Sequence, residues 1–216
     1  MVVKDTLQLY DSFLKTSISR WEYSNSVLYR MCEEKPEHSE ADVIAGKILL
    51  IGRTYAAAIE RRKNANEIGD DFYYKVVAPK MLEIGTELDN RLNKLRNSSR
   101  NTRDDLGEIL ETHKFLMDTF YELTGLEKRS LASKYLHFHC PRDFFIYDSR
   151  AKASIGKLVK RPDRGLLLNV ADYDLEYADF VCRMLELQEY LHEHLGVNEL
   201  PRKLDSFLLT QVSQSV

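Results

Sequence analysis

Apolar residues recur at helical spacing along almost the whole chain, and this periodicity is what most constrains its fold. The stripe within residues 5–18 consists of Leu7, Tyr10, Phe13 and Leu14. The segment from Ser39 to about Arg62 is apolar nearly all round in its middle, which predicts a central, buried helix. No strand-like alternation of useful length, repeat or low-complexity segment interrupts the pattern. The sequence therefore predicts an all-α fold of roughly nine helices.

Polar, glycine and proline residues predict where those helices begin and end. Ser39 is the predicted N-cap of the central helix, with Asp42 three residues on. Gly125 is a predicted C-cap, Pro141 stops the next helix, and Asp148 is the predicted N-cap of the one after it. Further helices are predicted over residues 22–33, from Asp70 and Asp71 onward, and over 80–95, 105–123, 131–139, 172–195 and 201–212. Residues 1–216 are interpreted as one domain, with a candidate subdomain boundary near 97–104 (NSSRNTRDD).

Composition indicates a soluble globular protein. The 44% apolar and 30% charged content of the 216 residues is ordinary for that class. No run reaches the roughly 18 uncharged apolar residues that cross a bilayer. Lys4, Asp5 and Asp11 interrupt any signal-peptide core at the N-terminus. We therefore expect a cytoplasmic protein with no membrane partner.

The cysteines and histidines do not predict a disulfide framework or a metal centre. Three widely spaced cysteines, Cys32, Cys140 and Cys182, are expected to be reduced and mostly buried. His137, His139 and Cys140 cannot all face one side of a short helix, so we expect no metal and no cofactor. His192 and His194 lack zinc-protease spacing and are expected to be exposed. Trp21 is expected to be a core anchor, and Arg53 and Arg61 are expected to pair with acids.

The net charge of −3 is unevenly distributed. Residues 126–164 contain ten Lys/Arg against four acids, and residues 91–103 contain five Lys/Arg and no acid. Residues 165–200 contain eight acids and one Arg. A basic face of this kind attracts phosphates. The alternative is that these charges are solvated helix faces.

The segment from Leu123 to Ala151 carries the strongest functional signal. In LTGLEKRSLASKYLHFH a helix ends at Gly125 and another begins after a short turn. Such a turn offers backbone N–H groups and a helix N-terminus to a phosphate, and Lys128 and Arg129 add positive charge. The following CPRDFFIYDSR returns the chain to Asp148, whose ionised form is stabilised by the helix that it caps. Taken singly, these residues are also compatible with a purely structural cap.

This segment resembles the core of the helix–hairpin–helix DNA glycosylases. It is most similar to bacterial proteins described as 8-oxoguanine-glycosylase-like, through an SK-x-LHF…P…F-x-IYDSR pattern. The matching residues are Ser133, Lys134, Leu136, His137, Phe138, Pro141, Phe145, Ile146, Tyr147, Asp148, Ser149 and Arg150. The specific match covers about 30 of the 216 residues.

The resemblance implies an N-glycosidic bond cleavage in DNA or in a modified nucleotide. It makes Lys134 the nucleophile at the anomeric carbon and Asp148 the carboxylate that activates it and stabilises the oxocarbenium-like charge. It implies base extrusion, with DNA or the nucleotide contacted by a wider set of residues. That set is Lys128, Arg129, Ser133, His137, Tyr147, Ser149 and Arg150. It also implies a bacterial phage-defence context, with partner proteins from the same operon.

Three alternatives remain open on the sequence alone. A longer spacing counted back from Asp148 reaches Lys128 or Arg129, so Lys128 is the second candidate nucleophile. The single glycine of the hairpin and the modest charge also fit a catalytically inactive module that binds nucleic acid or protein. The third alternative is an N-glycosidase that acts on a free nucleoside or nucleotide.

Overall fold

The computed structural model describes residues 2–16, 21–62 and 71–213. Within these ranges the chain forms ten α-helices, which confirms the predicted all-α class. In chain order they are α1 (Thr6–Thr16), α2 (Glu22–Glu34), α3 (Ala41–Thr54), α4 (Ala78–Glu83), α5 (Gly85–Arg96), α6 (Leu106–Thr124), α7 (Arg129–His139), α8 (Ser149–Leu158), α9 (Leu175–Leu195) and α10 (Pro201–Ser213). A π-helical turn (Tyr73–Val77) precedes α4, and a 3₁₀ turn (Gly165–Leu167) precedes α9.

The predicted helix ends around the hairpin are confirmed. Gly125 adopts φ 66° and its N–H donates to the Tyr121 carbonyl at 2.7 Å, which closes α6 with the left-handed cap that glycine favours. The helix α7 ends at His139, two residues before Pro141. The Asp148 side chain caps α8. The continuations to residue 18 and from Asp70 fall outside the described residues.

The long helix predicted to reach Arg62 is wrong, because α3 ends at Thr54. Beyond it, Ala56 takes a left-handed φ of 52°, and the Ala57 N–H donates to the Gly52 carbonyl at 2.7 Å. A side chain at position 52 would lie 3.3 Å from the Ala58 Cα, so the returning chain uses the space that glycine leaves. The Tyr55 ring packs edge-on against Phe138. Tertiary packing thus overrides the helix propensity of the alanines.

Two further local predictions are wrong. Glu40, not Ser39, occupies the N-cap position of α3, and no side chain caps it. The preceding residue explains this difference, because the His38 backbone N–H donates to Asp89 at 3.0 Å and fixes the chain there. Trp21 is 68% exposed rather than a core anchor, and it starts α2 with a left-handed φ of 70°.

The expectations for the thiols and the exposed histidines are confirmed. Cys32, Cys140 and Cys182 are free and buried, and His192 and His194 are exposed. Arg53 pairs with Glu60 at 2.8 Å, as expected. Among the described helices, none combines the length and apolar content needed to cross a membrane.

The buried apolar residues form two clusters. The first core takes residues from α2 to α5, from most of α6 and from α7. The second core takes residues from α1, from the start of α6 and from α8 to α10. The chain passes from one to the other between Phe144, in the first core, and Phe145, in the second. Neighbouring side chains of an extended segment point to opposite sides, so this segment joins both cores. Asp148 follows three residues later.

Candidate functional site at the junction of the two cores

Asp148 is held at the N-terminus of α8 by two backbone hydrogen bonds. Its Oδ1 accepts from the N–H of Arg150 at 2.9 Å and from the N–H of Ala151 at 2.8 Å. Its Oδ2 lies 3.9 Å from the Arg150 guanidinium, and 20% of the side chain is exposed. These two bonds are those of an N-cap residue, and they fix the orientation of the side chain. The Asp148 carboxyl group is therefore held in place at the edge of the junction.

One hydrogen bond links the segment that carries Lys134 to the segment that carries Asp148, although these two residues form no ion pair with each other. The Tyr147 N–H donates to Ser133 Oγ at 3.1 Å, across 14 residues of sequence. Lys134 and Asp148 are the next residues along each of the two bonded segments. Ser133, which is fully buried, also donates to the Ser130 carbonyl at 3.1 Å. Ser133 is thus a structural link between α7 and the segment that leads to Asp148.

Lys134 is a buried amine that donates one hydrogen bond within its own helix. It is 1% exposed, and its Nζ donates to Ser130 Oγ at 2.7 Å. The Nζ lies 5.7 Å from the centre of the Tyr55 ring. Burial lowers the pKa of Lys134, while the charges of Asp148 and Asp205 oppose that shift and Arg150 adds to it. A lysine with a lowered pKa is available as a nucleophile or for Schiff-base formation.

The C-terminal helix α10 brings a second carboxylate to this site. Asp205 is 1% exposed and its Oδ2 pairs with Arg202 at 2.5 Å. Burial raises the pKa of Asp205 to about 7, and the charge of Asp148 adds to the shift, while Arg202 and Lys134 oppose it. Asp205 was not among the residues predicted from the sequence. The available signal was a lone acid in the LDSFLL run of the last helix, which contains four apolar residues.

Aromatic residues and a histidine form the side of the site that belongs to the first core. Tyr29 Oη lies 2.7 Å from His137 Nε2, and Tyr55 donates to Asn25 at 2.7 Å. His137 Nδ1 lies 2.8 Å from the Phe144 carbonyl, so this nitrogen carries the proton and Nε2 accepts from Tyr29. Burial lowers the pKa of His137 to about 4. His137 is therefore neutral, and its ring is fixed between Tyr29 and the Phe144 carbonyl. Its role in a pocket stays a prediction.

The two hairpin cations are engaged inside the protein. The Lys128 Nζ donates to the carbonyls of Ala58, at 3.1 Å, and of Arg61. Arg129 pairs with Asp174 at 2.5 Å and with Glu176 at 3.3 Å, and 13% of its side chain is exposed. These contacts tie the hairpin to the segment after α3 and to the start of α9. A phosphate role for either cation stays a prediction.

The remaining predicted contact residues divide between the interior and the surface. Tyr147 is 7% exposed and its hydroxyl donates to Glu176. Ser149 and Arg150 are exposed at the start of α8. The same helix exposes Lys157, seven residues after Arg150, so these two cations share a face.

The lysine is closed off from solvent, whereas the carboxylate beside it is not. Lys134 is 1% exposed, while 20% of the Asp148 side chain and 64% of the Arg150 side chain are exposed. Two surface cavities, of about 320 and 480 Å³, are lined by other residues, the larger by Phe138, His139 and Cys140 among others. Asp148 is therefore the solvent-accessible member of the two, and Lys134 is the enclosed one.

The titratable groups at the junction are an amine and carboxyl groups rather than a cluster of metal ligands. In the described ranges, no group of three or more His, Cys, Asp and Glu side chains is placed to hold a metal ion. A buried amine, an anchored carboxylate and a second, poorly solvated carboxyl group meet at the junction. No family model matches the chain, and no curated protein or solved structure is detectably similar to it.

Proposed function

We propose that the protein is a glycosylase-like enzyme that cleaves the N-glycosidic bond of a modified or oxidised purine nucleotide in DNA. The observation that carries the proposal is the buried Lys134 beside the capped Asp148, aligned by the bond between Ser133 and Tyr147. In this proposal Lys134 is the nucleophile, and a Schiff base with the sugar makes a lyase step available. The similarity of residues 123–151 to helix–hairpin–helix glycosylases points to the same pair.

The environment of each member suits its role. Burial lowers the pKa of Lys134, so more of the amine has a free lone pair at neutral pH. Asp148 is anchored by two N–H groups and reaches the surface, where it would face the positive charge that develops on the sugar. Lys128 is less suited to attack, because its Nζ donates to two backbone carbonyls.

DNA binding is supported by α8 rather than by the hairpin. The described helix carries Arg150, Lys152 and Lys157 and no acid, and Arg150 and Lys157 share an exposed face. The N–H groups of Arg150 and Ala151 at its N-terminus are taken by Asp148, so a phosphate would be bound by the exposed cations of the helix rather than by the helix end. A DNA backbone on this face would bring a sugar towards Asp148.

A second candidate is an N-glycosidase that acts on a free modified nucleoside or nucleotide. The engagement of Lys128 and Arg129 in internal contacts favours it, since the hairpin then has fewer cations to offer a DNA backbone. The same Lys134 and Asp148 chemistry would apply. The two candidates differ in whether the reaction needs a polynucleotide.

Borohydride trapping on abasic-site and 8-oxoguanine duplexes tests the proposal. We expect a covalent adduct with the wild type that is lost in Lys134→Ala, strongly reduced in Asp148→Asn and retained in Lys128→Ala. Lys47→Ala is the matched control, because Lys47 is also fully buried but donates to the Lys35 carbonyl in the first core. Circular dichroism of each variant separates loss of chemistry from loss of folding.

The other outcomes discriminate the alternatives. An adduct lost only in Lys128→Ala would move the nucleophile into the hairpin. Base release from free modified nucleosides, with none from duplexes, would select the second candidate. Salt-dependent DNA binding with neither adduct nor base release would leave a binding module and contradict the enzyme proposal.

A further inference from the structure

Asp205 has an unusual combination of burial and missing hydrogen bonds. The residue is 1% exposed, and its Oδ1 is a buried oxygen with no hydrogen-bond partner among the described residues. Only Oδ2 is engaged, by Arg202 one turn earlier on the same helix. A buried carboxylate oxygen without a donor carries a large desolvation cost. Such a group is expected either to be protonated or to receive a proton during function.

The charged groups around Asp205 come from three helices. Lys134 of α7, Asp148 and Arg150 of α8, and Arg202 of α10 all act on its charge. The charges of Arg202 and Asp205 also act on the pKa values of the Tyr29 and Tyr55 hydroxyls. Two of the residues that face Asp205, Lys134 and Asp148, are those of the proposed reaction. The helix α10 makes its most extensive helix contact with α8, the helix that Asp148 caps.

We propose that Asp205 is the proton acceptor and donor for Lys134, a third functional residue contributed by the C-terminal helix. This inference rests on the proposed function of the Lys134–Asp148 site. In this inference Asp148 and Asp205 have different roles because their surroundings differ. Asp148, held by two N–H groups, faces the sugar, whereas Asp205, with its orphan oxygen, exchanges the proton.

The proton and electron balance closes over these residues. Lys134 Nζ donates to Ser130 Oγ and makes no ion pair with Asp205, so the proton passes from the Lys134 ammonium to Asp205 through a bridging hydroxyl or water. This leaves a neutral amine and a neutral carboxylic acid. The Nζ lone pair then forms a bond to the anomeric carbon, and the glycosidic C–N bond breaks with its electron pair on the departing base. The proton on Asp205 passes to that base. The carboxylate that remains faces the new ammonium on Lys134.

Lys134 and Asp205 act on each other's charge, so the reaction should depend on pH in a defined way. Well below the pKa of about 7 of Asp205, its carboxyl group is protonated and no acceptor is present. The rate of adduct formation should rise as the pair loses its first proton, with an apparent pKa that belongs to the pair. In Asp205→Asn we expect adduct formation at pH 7 to be slower by about a hundredfold or more, in the range of general acid–base effects. The rising limb should also move by at least one pH unit.

A direct titration of Lys134 makes the test independent of activity. In protein labelled with ¹³C at lysine Cε, the Lys134 signal is identified by its absence from Lys134→Ala. Because the charge of Asp205 raises the pKa of Lys134, we expect that pKa to fall in Asp205→Asn. Asp11→Asn is the control, since Asp11 is an exposed acid paired with Lys15 on α1. It should change neither the titration nor the rate profile.

The outcomes separate the inference from the function on which it rests. A wild-type adduct together with an unchanged pH profile in Asp205→Asn overturns the proton-transfer role and leaves the proposed function standing. An unchanged Lys134 titration overturns it as well, whatever the activity. No wild-type adduct or base release on any substrate overturns the proposed function, and with it the catalytic role of Asp205.

Discussion

The backbone N–H of Tyr147 donates to Ser133 Oγ at 3.1 Å, and this hydrogen bond links the two halves of the candidate site. Ser133 belongs to α7, which packs in the first core, and Tyr147 belongs to the second core. The bond is buried, so no solvent competes for the donor. Together with the contact between His137 Nδ1 and the Phe144 carbonyl, it holds α7 against the segment that leads to Asp148.

Replacing that serine should loosen the site more than it loosens the fold. In Ser133→Ala the Tyr147 N–H loses its acceptor, and we expect a loss of about 1–3 kcal/mol in the free energy of unfolding. Adduct formation should fall further than this loss of folded protein explains. Denaturant unfolding and borohydride trapping measure the two effects. Ser26→Ala, which removes an exposed bond to the Tyr23 carbonyl, should change neither. An unaltered trapping rate in Ser133→Ala would show that the bond does not align the pair.

The sequence predicted the helical class, the hairpin and the cap at Asp148, because each depends on residues close together in the chain. Gly125, Pro141 and Asp148 impose local conformations that neighbours cannot easily reverse. The early end of α3 was not predictable in this way. The conformation of Ala56 depends on Tyr55 reaching Phe138, more than 80 residues away in sequence. Asp205 was not predicted for a related reason. Apart from Arg202, the charged groups that act on it belong to α7 and α8, which lie far from it in sequence and approach it only in the folded structure.

Asp205 should make the protein less stable as the pH rises. Its pKa is raised from 3.8 to about 7 by burial, so the folded state holds a proton that the unfolded state has released. The unfolded state binds fewer protons between these values, and stability should therefore fall from about pH 4 to pH 7. Asp205→Asn should remove this fall, which makes the variant more stable than the wild type by a few kcal/mol at pH 8. Thermal unfolding across pH 4–8 measures this, and parallel curves for the two proteins would contradict it.

His137 should make the protein sensitive to acid. Burial lowers its pKa from 6.5 to about 4, so the unfolded state binds the extra proton in that interval. Stability should fall as the pH drops from 6.5 to 4, by roughly 3 kcal/mol from this residue. His137→Gln should be less stable than the wild type at pH 7, because it disturbs the bonds to Phe144 and Tyr29, but it should lose less on acidification. The exposed His192→Gln is the control and should follow the wild type throughout.

Arg129 should be more important for folding than for DNA binding. Its side chain is 13% exposed and that of Asp174 is 11% exposed, so breaking the pair leaves a largely buried carboxylate. We expect Arg129→Met to cost about 3–5 kcal/mol in the free energy of unfolding. Arg91→Met is the matched control, because its partner Glu87 is 53% exposed, and it should cost about 1 kcal/mol or less. If Arg129→Met folds with wild-type stability but binds DNA with a weaker salt dependence, the arginine contacts phosphate instead.

The exposed cations of α8 test whether the substrate is DNA. Each phosphate contact contributes about −0.9 to the slope of log K against log salt for duplex DNA. If Arg150 and Lys157 each contact one phosphate, Arg150→Gln and Lys157→Gln should each reduce the magnitude of the slope by about 1, and the double variant by about 2. Lys15→Gln, on an exposed and paired lysine of α1, should leave the slope unchanged. Fluorescence anisotropy of a labelled duplex at about 50 to 300 mM salt gives the slopes of the wild type and of the four variants. If the α8 variants leave the slope unchanged and the protein still releases bases from free nucleosides, the substrate is a free nucleoside or nucleotide and α8 does not bind DNA.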